Sequence, residues 1–280
     1  MGKFDYGPDY VQTRGAALER AAATHLPALY RLLLAPVHGV LTGSALTIVP
    51  HGPLHQVPFH ALHDGSDYLV TQFAFSYAPS VMTLAVCRQR PLAELARALL
   101  MAVPDRTIPH VVEEVEAIRP FFPAAQVFVG ADATCAQLAQ WAPQSDLIHL
   151  ATHALFRADN PLFSAIKLGD RWALARDLYS LRLRGGLVTL SACESGRSAV
   201  ESGDELMGLA RGFLVAGASA LIASQWVVND ATTATFMTSL YRFLRQGQRL
   251  GQALRNAQLV LRQSHPHPYY WAPFVLIGQA

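Results

Sequence analysis

His153 and Cys193 are the side chains of this sequence best suited to chemistry. The run Asp146-Leu147-Ile148-His149-Leu150-Ala151-Thr152-His153-Ala154 is apolar and ends in an imidazole. A second run, Leu187-Val188-Thr189-Leu190-Ser191-Ala192-Cys193-Glu194-Ser195-Gly196, ends in a thiol with glycine close behind. Each reads as a buried parallel strand that delivers its last side chains to the carboxyl edge of a sheet, where open α/β sheets bind ligands. A free thiol is only a few per cent ionised at neutral pH, and the thiolate is the nucleophile. A neighbouring histidine supplies what the thiol needs, taking its proton and later giving one to a leaving amine. Roughly thirty residues separate the two runs, enough for a crossover between parallel strands. The pattern is that of a cysteine peptidase dyad, with His153 as general acid/base and Cys193 as nucleophile. The backbone N–H groups of Cys193 and Ala154 are then placed to hold a tetrahedral oxyanion.

Other residues compete for roles or surround the pair. His149 is the rival imidazole, and its spacing from His153 matches the HxxxH of zinc helices. On a strand, however, four residues span about 13 Å, too far for two nitrogens to share one zinc. His149 therefore reads as a packed, hydrogen-bonded histidine. His265-Pro266-His267-Pro268 reads as a rigid loop before the last strand, with metal binding the lesser alternative. Ser224-Gln225-Trp226-Val227-Val228-Asn229-Asp230 ends a strand and enters a helix. Asp230 reads first as the helix N-cap, or else as a carboxylate in a substrate pocket at the same sheet edge. Trp226 is either core packing or a pocket wall. The polar, glycine-containing loop from Glu194 to Asp204, which includes Ser195, is of the kind that shapes a substrate cleft beside a nucleophile. No ligand set converges, so neither a metal nor a cofactor is called for.

The elements that must position these residues are legible as an alternation. One or two helices are expected over Ala16 to Leu34, ending by Pro36, then strand at Leu46–Val49 stopped by Pro50, strand at Phe73–Tyr77, and a helix opened by Pro79-Ser80. Leu99–Val103 is a buried strand ended by Pro104; Val111–Phe121 is a helix with Glu113, Glu114 and Glu116 on its solvated side. Strand 126–129 follows, then a helix to Trp141 capped by Asp132. After the two motif strands come a helix from Glu205 to Ala216, a strand from Ala220 to Val228, helices near 231–246 and 249–263, and a last strand at Phe274–Ile277. Alternation of this kind predicts a mainly parallel central sheet with helices on both faces.

Composition narrows the function classes. Of 280 residues, 51% are hydrophobic and 15% charged, which describes a chain able to bury a large core. The formal charge is +2 and the arginines are scattered, so nucleic-acid binding is not suggested. Cys87, Cys135 and Cys193 form an odd, sparse set suited to a reducing compartment, and the N-terminus has no apolar leader, so a cytoplasmic location is expected. Gly212 to Asn229 is uncharged but breaks at Gly217, and reads as a buried helix–strand unit and not a membrane span. One domain is expected over 1–280, with a helical subregion over 1–45.

Taken together, five stretches resemble the CHAT domain in the family's order: Leu46–Pro50, His149–His153, Leu190–Gly196, Gln225–Asp230 and Tyr270–Phe274. The resemblance spans almost the whole chain. It implies a caspase-like α/β/α sandwich related to caspases, separases and gingipains, and a His153/Cys193 dyad peptidase cleaving a specific protein partner. It also implies that Asp230 occupies the place of the separase acidic residue that selects a basic P1 side chain. The family's usual glycine after the histidine is Ala154 here, which keeps the backbone N–H but not a glycine-only φ. CHAT domains often accompany tetratricopeptide repeats, and this sequence contains none, so an activating or repeat-containing element is expected on a partner protein or on a further part of this one, with latency until a stress or defence complex engages it. A catalytically silent CHAT scaffold that binds proteins through the same cleft is the alternative.

Overall fold

Runs of consecutive apolar residues become strands covered on both faces, because only a second layer on each side can bury them. The computed structural model describes residues 8–280 apart from 91, 93, 156, 158, 159 and 195–203, and of 8–13, 161, 192–194, 204–208 and 230 the backbone only. In it, β3 (Ala98–Ala102), β5 (Leu147–Leu155), β8 (Leu187–Glu194) and β9 (Ala220–Ser224) lie parallel, with β4 (Gln126–Val129) beyond β3. The sheet continues from β9 through β10 (Phe274–Gly278), β2 (Ala74–Tyr77) and β1 (Ala45–Ile48), in the order β1-β2-β10-β9-β8-β5-β3-β4. β10 is antiparallel to β9, so β1, β2 and β10 run against the other five. A small antiparallel hairpin, β6 (Ala165–Lys167) and β7 (Trp172–Leu174), hangs from the end of β5.

Helices cover both faces. One face carries α4 (Val111–Ile118), α8 (Asp230–Arg245), α9 (Leu250–Ser264) and α10 (Pro268–Trp271). The other carries α3 (Val81–Arg88), α5 (Cys135–Trp141), α6 (Ala175–Leu178), α7 (Asp204–Ala216) and most of α1 (Pro8–Leu33), which α2 (Ala35–His38) extends. Among the described residues no helix is long and apolar enough to cross a membrane. Alternation along β5 sends Leu147 and Ala151 into the α4/α8/α9 core and Ile148, Leu150 and Ala154 into the other.

The strand starts are locked level, and that fixes the site. Gly186 has φ +87°, and a Cβ there would meet the Asp146 carbonyl oxygen at 2.2 Å, so only glycine fits. Around it, Leu187 N–H donates to Asp146 O at 2.9 Å and Ser219 N–H to Gly186 O at 3.0 Å. Leu147 pairs with Leu187, and the ladder then runs in step to His153–Cys193 and Ala154–Glu194.

Several local expectations change. The strand expected to reach Val228 stops at Ser224, because Gln225 N–H turns away to Pro273 O at 2.8 Å. The cap of α8 is Asn229, whose side chain accepts from Thr232 N–H, and Asp230 is the first helical residue. Thr134, not Asp132, caps α5 by accepting from Gln137 N–H. Glu114 is 1% exposed, on the inner side of α4 and not the solvated one. The helical region expected from Ala16 is present, and a further helical stretch from Pro8 precedes it across a kink at Arg14.

Candidate active site

The site begins where β3 ends. Pro104 stops the strand, and Asp105 folds the chain back into an Asx turn: its Oδ1 accepts from Thr107 N–H at 2.8 Å, Thr107 Oγ1–H at 2.7 Å and Ile108 N–H at 3.3 Å. Oδ1 is thereby used up and Oδ2 is left for the neighbouring strand. It lies 2.7 Å from His153 Nε2 and 3.3 Å from Lys167 Nζ. Partial burial pushes the Asp105 carboxyl up, but the hydrogen bonds from Thr107 and the contact with His153 outweigh it and hold the group well below the usual carboxylate range.

This geometry assigns the tautomer of His153, whose side chain is only 5% exposed. Nε2 faces Asp105 Oδ2 and, at 3.1 Å, Thr107 Oγ1, whose own proton is committed to Asp105. Both neighbours accept, so Nε2 carries the hydrogen and Nδ1 of the neutral ring is the bare, basic nitrogen. Nδ1 is buried and has no hydrogen-bond partner among the described residues. Across the ladder from His153 stands Cys193. Adjacent parallel strands lie about 4.8 Å apart, so the two backbones are neighbours at one level of the sheet's carboxyl edge.

The other thiols make a contrast. Burial pushes the Cys87 thiol up despite Arg90. Burial and the Asp170 carboxylate push Cys135 up to about 11. Neither holds a thiolate at neutral pH.

His149 is confirmed as an interior residue. Its Nδ1 is 2.9 Å from the Tyr241 hydroxyl, which in turn donates to Thr189 Oγ1 at 2.9 Å. Nε2 lies 2.9 Å from Glu114 Oε1, close but out of hydrogen-bond alignment, with both side chains almost wholly buried. The ring is two pleats below His153 and belongs to a different cluster. His267 Nδ1 accepts from Tyr269 N–H in the turn that opens α10, and among the described residues no group of side chains forms a metal site.

The remaining candidates spread around the same edge. β9 runs parallel to β8, so the Gln225–Asp230 connection leaves the sheet on the Cys193 side. Trp226 is 5% exposed, packs in the core and donates its indole N–H to Tyr269 O at 3.1 Å. Asp230 is placed at the first turn of α8 by its backbone, Glu194 is the ladder partner of Ala154, and Ser195 lies outside the described residues. Ala154 sits in the ladder between Glu194 and Ile166, and among the described residues no side-chain-bearing residue has a positive φ, so alanine costs this strand nothing. Sequence reasoning missed Asp105, Thr107 and Lys167. The signal for the first pair was present: Asp105-Arg106-Thr107 follows a buried strand and Pro104, and Asp-x-Thr after a strand end is an Asx-turn pattern.

The CHAT domain profile matches residues 24–279 of this sequence. The chain belongs to the CHAT domain family. Tetratricopeptide repeat protein 28 of Homo sapiens is 27% identical over 322 aligned residues, covering 90% of this chain and 13% of that protein. The Mus musculus protein of the same name is 28% identical with the same coverage. This CHAT chain therefore spans only a small part of the curated relatives it matches. Among solved structures, the Saccharomyces cerevisiae separase–securin complex superposes with a TM-score of 0.57 at 16% identity, over 80% of this chain and 15% of that one. The Arg-specific cysteine proteinase gingipain R gives 0.53 at 12% identity, over 74% and 54%. The CHAT chain thus has a caspase-like α/β fold.

Proposed function

We propose that this CHAT domain is a cysteine endopeptidase that cleaves a specific protein partner. One observation carries the reading: Cys193 stands opposite His153 in the ladder, and the Asp105 turn occupies Nε2, which leaves Nδ1 as the base. In the proposed reaction, Nδ1 takes the thiol proton as sulfur bonds to the scissile carbonyl carbon. The backbone N–H groups of Cys193 and Ala154 hold the oxyanion, and His153 then protonates the departing amine. Water, deprotonated by the same nitrogen, hydrolyses the thioester and restores the thiol.

Glu194, Ser195 and Asp230 contact the substrate in this reading, with Trp226 backing the wall. The cap of α8 is made by Asn229, and in this reading the Asp230 carboxylate selects a basic P1 side chain. The relatives named for tetratricopeptide repeats support a repeat-containing or other activating partner that relieves latency. In this reading the protein works in the cytoplasm, on a protein substrate and not on nucleic acid or membrane.

The test is selective alkylation at neutral pH. Iodoacetamide is expected to modify Cys193 at least about 100-fold faster than Cys87 or Cys135. Cys193→Ala is expected to abolish cleavage of arginyl peptides. Equal rates for the three thiols would leave the protein-binding scaffold as the function.

A further inference from the structure

All the basic residues of this chain but Lys3 and Lys167 are arginine. Lys167 stands at the site just described, one-third exposed, at the end of β6. Its carbonyl accepts from Thr152 Oγ1–H at 2.6 Å, which ties its backbone to the residue before His153. Its ammonium is 3.3 Å from Asp105 Oδ2, and that same oxygen receives His153 Nε2–H at 2.7 Å. One carboxylate oxygen therefore serves two positive or potentially positive groups.

A lone carboxylate at 2.7 Å from Nε2 favours the imidazolium form, which has no lone pair left to take a thiol proton. A fixed cation on the same oxygen opposes this, because it cancels part of the field that the imidazole feels. We infer that Lys167 is a positioning residue that holds the Asp105 carboxylate and offsets its charge, which weakens the pull of that carboxylate on a proton at His153 Nε2. Among the described residues, the charged groups at His153 Nε2 are Asp105 and Lys167. Thr107 beside them is neutral, the Glu114–His149–Tyr241 cluster lies two pleats below, and β8 presents positions Cys193 and Glu194 across the ladder.

The importance of Lys167 for catalysis rests on the peptidase reading, but its effect on His153 does not, and the experiment separates them. The imidazole C–H titration of His153 is followed by NMR in the Cys193→Ala protein, with the resonance assigned by its loss in His153→Gln. Removing the cation makes the ring more basic. Lys167→Met is therefore expected to raise the midpoint by about half to one pH unit, so that the neutral fraction falls about 3- to 10-fold on the acid side. Lys167→Arg keeps the charge and is expected to hold the wild-type midpoint; Lys167→Gln repeats the neutral case should Met disturb the hairpin. An unchanged midpoint in the neutral variants, or an equal rise in Lys167→Arg, overturns the inference even if Cys193 alkylates selectively. A raised midpoint with unselective alkylation supports it while removing the peptidase.

Discussion

Asp105 does two things with two oxygens. Oδ1 shapes the turn by accepting from Thr107 and Ile108, and Oδ2 fixes the ring of His153. Asparagine preserves the shape but substitutes an amide that can donate to Nε2, which moves the ring hydrogen to Nδ1 and removes the base. Asp105→Asn is accordingly expected to slow Cys193 alkylation and peptide cleavage by roughly 100-fold or more with little loss of fold. Parallel alkylation rates and urea denaturation check this, and a loss under threefold would detach Asp105 from the mechanism. His149 shows the opposite case. It is the same residue type on the same strand, yet packing between Glu114 and Tyr241 makes it structural.

That cluster matters at the scale of elements. Glu114 comes from α4 and Tyr241 from α8, while His149 and Thr189 come from the two motif strands. Two helices are thus pinned to β5 and β8 at one level of the interior, and α4 follows the Asp105 turn while α8 opens with Asp230. Truncating His149 to leucine leaves a carboxyl and a phenol in the core without their partner, a change expected to cost about 3–5 kcal/mol in urea unfolding. Adding Glu114→Met to His149→Leu is expected to recover at least about 1 kcal/mol, because the orphaned carboxyl goes too. Strict additivity of the two single costs would mean that the pair is not coupled. Helical spacing puts Glu114 on the apolar face of α4 with Val111, Val115 and Ile118, while its meeting with His149 is decided only by the docking of α4 on β5.

At the scale of the whole molecule, His60 stitches distant parts of the chain together. Its Nε2 lies 2.8 Å from Ala272 O and its Nδ1 3.3 Å from the Tyr77 hydroxyl. Burial pushes its pKa down to about 4, against the raising effect of the Ala272 hydrogen bond. Between about pH 6.5 and 4 the unfolded chain binds a proton that the folded one refuses, so stability is full above this window and falls as pH drops through it. The loss attributable to this one group approaches about 3 kcal/mol. Asp64 and Asp105, held low by their hydrogen bonds, contribute stability that is lost only at lower pH, beneath the ordinary carboxylate range. Urea midpoints at pH 7 and pH 4.5 are expected to show the fall, and His60→Asn, though less stable at neutral pH, to flatten it; an unchanged slope in that variant would assign the acid sensitivity elsewhere.

The sequence alone determined the alternation of strands and helices and the two apolar runs that end in His153 and Cys193. These are local properties, carried by periodicity, whereas the level register of the two strands was decided where Gly186 packs against Asp146. What only the tertiary structure decided is which polar groups meet: Asp105 with His153 and Lys167, and Glu114 with His149. Such pairings depend on the relative placement of segments tens of residues apart, set by strand order and helix docking, to which a single side chain's type and its neighbours in the chain carry no signal.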